Sequence, residues 1–189
     1  LSIPDEVVTG SGRLVHIPAS EPVFDLVPDI LTCAKGISSG VIPLAATLFA
    51  EEIFEVIAAP GGIFAHGYTY TAHPVACVAG LKTLEIMERE GLCAHVRELG
   101  PYFMAALDGL RDLELVGDVR GSHFMAGIEY VADRATREPV GGEVDVGRWV
   151  WERCLARGLI VRPVAPQVNS LSPPLILTRT QIDEVVAIL

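Results

Sequence analysis

Between Val75 and Arg89 apolar residues fall at Val75, Val78, Ala79, Leu81, Leu84 and Met87. That spacing is close to the 3.6-residue helical repeat and predicts an amphipathic helix. Pro74 suits its first turn, where a missing N–H costs nothing, and Gly91 ends it. Leu92, Val96, Leu99, Phe103, Leu107 and Leu110 repeat the pattern, with Gly100-Pro101 as a bend or a boundary. Two successive helices in mid-chain divide everything else. Before them stand short apolar runs of strand length: residues 1–9, 29–34 and 41–50. A connecting loop fills 10–29, and a short helix follows at 51–59. After them the pattern turns to alternation. Phe124, Ala126, Ile128 and Tyr130 mark the second strand of a hairpin. A polar loop over 133–143, a helix over 144–158, strands over 159–164 and 170–177, and a Thr178-capped helix complete the chain. The expected fold is α/β, followed by a smaller α+β unit. The border is placed near residue 105, giving 1–105 and 106–189.

Composition narrows the function. Half of the 189 residues are hydrophobic, and mean hydropathy is +0.42. No apolar run reaches the length of a membrane helix, because Glu51 and Glu52 interrupt the best one. The apolar excess is assigned to core or subunit interface, and no membrane role is expected. The net charge of −10 argues against nucleic acid, which needs a basic surface. Cys33, Cys77, Cys93 and Cys154 lack metal-ligand spacing, so free thiols, a reducing cytoplasmic setting and no metal are expected. The chain opens and closes inside element patterns, which reads as part of a longer protein.

Lys35 ends the apolar strand "DILTCA" and precedes Gly36. A buried lysine loses charge readily, and its amine then attacks carbonyls, pyridoxal phosphate among them. The plainer reading is a strand-end lysine reaching water. Asp5, in "IPDEVV", is an acid at another strand end. A pyridoxal ring needs such an acid to keep its nitrogen protonated. Otherwise Asp5-Glu6 is a solvated strand end, with Glu6 helping to hold the loop. The stretch "HGYTYTAHP" sets hydroxyls and amides before a helix start, a place that suits phosphate, or is simply a loop with a cap. Arg162 is a cation within "LIVRPV", suited to a carboxylate or to a structural ion pair. His66, His73 and His123 are read as structural, as are Trp149 and Trp151. "TGSGRL" lacks the third glycine of a dinucleotide site.

Taken in order, "DEVVTGSGR", "PDILTCAKGISSG", "FAHGYTYTAHPVAC" and "GLIVRPV…LSPPLILT" resemble the class III pyridoxal-phosphate aminotransferases. The likeness is greatest to the omega-amino-acid:pyruvate enzymes and runs from about Ile3 to the end. The resemblance implies the C-terminal part of a fold-type-I large domain and then a small domain. It implies pyridoxal 5'-phosphate as cofactor, an amine and a keto acid as substrates, and a homodimer with shared sites. Lys35 then matches the cofactor lysine and proton shuttle. Asp5 matches the acid on the ring nitrogen, and Val7 the apolar residue on the ring face. Thr69, with the backbone near Tyr68, matches the phosphate contact given across the dimer. Arg162 matches the mobile arginine for the substrate carboxylate.

The chain departs from that pattern in places. Ser11 stands where an aromatic residue is usual, "LVHI" where threonine and glycine follow the arginine, and Ala45 where glycine is usual. Family members also carry a long N-terminal part that supplies a stacking aromatic and a second phosphate cradle. A racemase or aminomutase of the same fold, and a non-catalytic fragment, therefore stay open beside transamination.

Overall fold

Strand β1 (Ile30–Cys33) runs antiparallel to β2 (Ala46–Phe49), with Ile30 opposite Phe49 and Cys33 opposite Ala46. On the free side of β1 the N-terminal residues run parallel to it. The Ile30 and Thr32 amides donate to the Ser2 and Pro4 carbonyls at 3.1 and 3.2 Å, and the Glu6 amide donates to the Thr32 carbonyl at 2.9 Å. Asp5 thereby lies opposite Thr32. This computed structural model describes residues 1–141 and 144–189. The chain divides into two compact units, 1–93 and 94–189. The division falls in the first turn of α4 (Leu92–Asp108), whereas residue 105 lies near that helix's far end.

In the first unit, α1 (Ser20–Phe24) is a single turn inside the stretch expected to be loop. Helix α2 (Glu51–Ala58) lies where "EEIFEVIAA" placed it. Helix α3 (Pro74–Arg89) begins with proline as expected. Its buried face is not the expected one. Ala76, Gly80 and Met87 are buried, while Val75, Val78 and Leu81 are exposed. The small residues decide this. A Cβ on Gly80 would come within 2.6 Å of Leu44 Cδ2, so a larger residue there would have to displace the tip of that side chain. The branched residues are left on the outer side.

In the second unit, α4 continues through Pro101. Pro101 and Arg97 are exposed, so the Arg97 carbonyl that loses its helical partner faces water. On the opposite side Val96, Leu99, Phe103 and Leu107 are buried. The same unit holds a four-stranded antiparallel sheet in the order β3-β4-β6-β5. Its strands are β3 (Val116–Ser122), β4 (Met125–Tyr130), β5 (Arg162–Ala165) and β6 (Val168–Leu171). Phe103 meets Phe124 edge-on with ring centroids 5.6 Å apart. His123 holds the first turn position of the β3–β4 hairpin at φ +48°. It sits against Gly100, where a Cβ would lie 2.7 Å from the His123 Cα.

Helix α5 (Val146–Ala156) is capped by Asp145, whose side chain accepts from the Arg148 amide. Helix α6 (Arg179–Ile188) starts with a capping box between Thr178 and Gln181. Two strand expectations are corrected. Residues 159–161 are not strand, because the Leu159 amide closes α5 on the Cys154 carbonyl. The last strand is Val168–Leu171 and not 170–177, where Pro173 and Pro174 cannot donate to a ladder. The expected loop at 133–143 runs as loop to 141, and residues 142 and 143 lie outside the described residues.

Phe103 is fully buried, so Phe103→Ala is expected to cost about 3–5 kcal/mol of unfolding free energy in denaturant titration. A loss under about 1 kcal/mol would mean that the ring is not part of the core.

Candidate functional site

The parallel pairing puts Asp5 beside β1, and Lys35 follows β1 by two residues. Lys35 opens a one-turn 3-10 helix, Lys35–Ser38, and takes φ +48°. That is a left-handed conformation which a non-glycine residue adopts only when its surroundings hold it. Three contacts hold it. The Ser38 hydroxyl, buried, donates to the Ile42 carbonyl at 2.7 Å. Gly80 of α3 brings its Cα face toward the Ile37 carbonyl. Ser11 lies on Gly36, where a Cβ would stand 2.6 Å from the Ser11 Cβ.

Lys35 itself is exposed. Of the two readings of this lysine, the exposure agrees with the strand-end lysine that reaches water and not with a buried amine. Asp5 is exposed as well, and its Oδ1 accepts from the Val7 amide at 2.8 Å. That bond closes a small turn and fixes the carboxylate's orientation. Val7 is half-buried beside it. The buried acid is Glu6, only 3 % exposed. Its carboxylate accepts from the Ala19 amide at 2.7 Å, from the Ser20 amide at 2.6 Å, and from the Ser20 hydroxyl. Glu6 thus holds the 9–20 loop, as the sequence suggested, and more tightly than an acid at a solvated strand end would.

The stretch before α3 is wholly exposed. The Tyr68 amide donates to the Thr71 hydroxyl at 2.9 Å, and the Thr71 amide donates to the Tyr68 carbonyl at 2.9 Å. The turn's own hydroxyl therefore occupies the Tyr68 amide, and Thr69 beside it is exposed. His66 packs between Phe64 and Tyr68, with centroids at 5.7 and 5.4 Å, which fits its structural reading. Arg162 belongs to the second unit, at the start of edge strand β5, where it pairs with Ser170. It is exposed, and among the described residues it forms no ion pair, so the buried structural pair is not what this strand contains.

The contacts around Lys35 are partly hidden in the sequence. The signal for the Ser11 contact is the glycine after the lysine, and for the α3 contact a glycine in mid-helix. Both mark close backbone approach. Near the same turn, burial pushes the Cys33 thiol up from its ordinary pKa, with the Glu6 carboxylate adding to it.

Set beside known proteins, the whole chain, residues 1–189, matches the family model for "Aminotransferase class-III". The chain belongs to the class III aminotransferases. It is 38% identical over 192 residues to an uncharacterized aminotransferase, y4uB, of Sinorhizobium fredii, covering 99% of this chain and 41% of that protein. The fold matches an (S)-enantioselective omega-transaminase from Thermomicrobium roseum with TM-score 0.93 and 36% identity, covering 98% of this chain and 41% of the other. It matches the PMP-bound form of an aminotransferase from Vibrio fluvialis with TM-score 0.91 and 34% identity, covering 98% and 41%. The α/β architecture is thus that of the transaminases. The chain spans about two-fifths of the length of these relatives. No helix among the described residues is long and apolar enough to cross a membrane. Among the described residues the four cysteines form no disulfide.

Thiolate, not thiol, is the reactive form. Burial leaves less of Cys33 as thiolate at neutral pH. It is therefore expected to alkylate with iodoacetamide several-fold more slowly at pH 7.5 than free cysteine does. The rate should climb as pH rises through the raised value. Equal rates at pH 7.5 would contradict the burial of this thiol.

Proposed function

We propose that the protein carrying this chain is a pyridoxal-phosphate-dependent transaminase. It moves an amino group from an amine or omega-amino acid to pyruvate or another keto acid. The observation that carries this reading is the placement of Asp5 and Lys35. Parallel pairing of residues 2–6 with β1 sets an oriented carboxylate next to the strand that leads into the lysine turn.

The residues fit such a cofactor by their chemistry. Lys35 supplies a primary amine on a short, rigidly held turn. Asp5 has one oxygen committed to the Val7 amide, and its other oxygen accepts nothing among the described residues, so it is free for a ring N–H. Val7, half-buried, offers an apolar surface beside it. Thr69 offers a hydroxyl and an amide to a phosphate in the exposed turn before α3. When bound, pyridoxal phosphate supplies an electron sink that accepts carbanion charge from the substrate. Everything else is the chain's part. Lys35 would hold the cofactor through its side-chain amine, and that amine, once freed by the substrate, would take up and return the proton at the reacting carbon. The Asp5 carboxylate holds a proton on the ring nitrogen. The Arg162 guanidinium binds a substrate carboxylate and leaves when the group is uncharged.

A homodimer with shared sites is part of the same reading. Tyr68 is 76 % exposed, and Thr69 and Tyr70 beside it are exposed too, which supports a loop that reaches a second copy. A reducing, cytoplasmic setting belongs to the same reading, with Cys33, Cys77 and Cys154 as free thiols.

Borohydride reduction of the natural holoprotein, followed by peptide mapping, tests the assignment. The cofactor's mass is expected on the peptide containing Lys35, and Lys35→Ala should lose the visible absorption band. The mass on the Lys82 peptide, or an undiminished band in Lys35→Ala, would overturn it.

A further inference from the structure

The loop from Thr9 to Ser20 contacts Glu6, the residue after Asp5, and Gly36, the residue after Lys35. It leaves the chain directly after the Asp5 segment and folds on itself. The Gly10 amide donates to the Glu6 carbonyl at 3.1 Å, Leu14 to Thr9 at 3.3 Å, and Val15 to Gly12 at 2.9 Å. It then returns to Glu6, where Ala19 and Ser20 donate to the buried carboxylate. A buried carboxylate is costly unless its oxygens are hydrogen-bonded, and here both are. No acid–base step uses Glu6. Its two oxygens act as a staple that closes the loop onto the segment bearing Asp5. Gly10 leaves room for the staple, since a Cβ there would stand 2.9 Å from the Glu6 carbonyl oxygen and 3.0 Å from Oε2.

The far side of the loop bears on the lysine turn. Ser11, at φ +54°, lies on the Cα face of Gly36, the residue after Lys35. A Cβ on Gly36 would meet Ser11 Cβ at 2.6 Å and Oγ at 3.1 Å, so the contact has no slack. Ser11 and Lys35 both hold left-handed backbone angles without being glycine, and Ser11 sits against Gly36, the residue after Lys35.

We propose that Glu6 and Ser11 are positioning residues, acting through the Thr9–Ser20 loop to set Lys35 against Asp5. The proposal rests on the reading of those two residues as the cofactor-holding pair. Glu6 fixes the loop to the Asp5 side, and Ser11 transmits that position to the Lys35 turn. Disturbing either contact shifts the amine relative to the carboxylate without removing either group. The loss then appears in how tightly and in what orientation the cofactor is held.

The test uses the natural holoprotein and two readouts besides activity: the dissociation constant for pyridoxal phosphate and the visible circular dichroism of the bound cofactor. Gly36→Ala is expected to weaken retention by about tenfold and to change the dichroic amplitude, because the added methyl displaces the lysine turn. Adding Ser11→Gly to Gly36→Ala removes the colliding atom and is expected to recover most of that loss. Glu6→Gln turns an NH2 toward an amide donor and is expected to weaken retention several-fold with an unchanged far-ultraviolet spectrum. Wild-type affinity and dichroism in both Gly36→Ala and Glu6→Gln would overturn the proposal. So would a double variant no better than Gly36→Ala alone. Should Gly36→Ala not fold, Ser11→Gly alone decides: weaker retention supports the contact, and wild-type retention refutes it. Lys35→Ala separates the two levels. Loss of the visible band there, with wild-type behaviour in the other variants, means that the pair is right and the positioning is wrong. An unchanged band means that the pair itself is wrong.

Discussion

Three backbone hydrogen bonds lay residues 2–6 parallel to β1, and the rest of the first unit depends on them. Parallel pairing brings the ends of two segments together without a hairpin between them. Here one of those ends carries Asp5, and the other runs on into Lys35. Side chains then refine what the backbone sets. The Asp5 carboxylate is aimed by the Val7 amide, and the Lys35 turn is pressed by Ser11 below Gly36 and supported by Gly80 of α3. Glycine stands at both approaches, and at Gly36 a Cβ would collide with Ser11.

The energetic character of this frame differs from that of the second unit. There, Phe103, Phe124, Leu107, Ile128 and Ile182 are fully buried, and the sheet has an apolar side to pack on. The first unit has few such residues and leaves Val41, Phe54, Ile63, Phe64, Val75, Val78 and Leu81 exposed. The high mean hydropathy is therefore surface as much as core. The relatives compared with this chain are more than twice its length. The exposure of Lys35 belongs to the same pattern.

Local signals are legible in the sequence and long-range ones are not. The Thr178 capping box, the proline at the start of α3 and the β3–β4 alternation are each written within a few residues, and each stands where the sequence placed it. The helical period of α3 is readable, but the choice of buried face is not, because it depends on Gly80 meeting Leu44. Strand β6 escapes a pattern search because its centre is polar: Asn169 is buried, yet it donates to the Gly147 carbonyl at 2.9 Å. The part of Glu6 in holding the loop is legible from its place beside Asp5. The contact between Ser11 and Gly36 spans 25 positions, and no periodicity encodes it. In the site, residue types and order carry the reading, and only the fold shows that Asp5 and Lys35 share one frame.

A crystal structure of the natural holoprotein with pyridoxal phosphate tests the central claim most directly. Density is expected to join Lys35 Nζ to the cofactor's carbonyl carbon, with the Asp5 carboxylate on the ring nitrogen and Val7 against the ring face. A cofactor joined to another lysine, or a ring nitrogen facing away from Asp5, would contradict it.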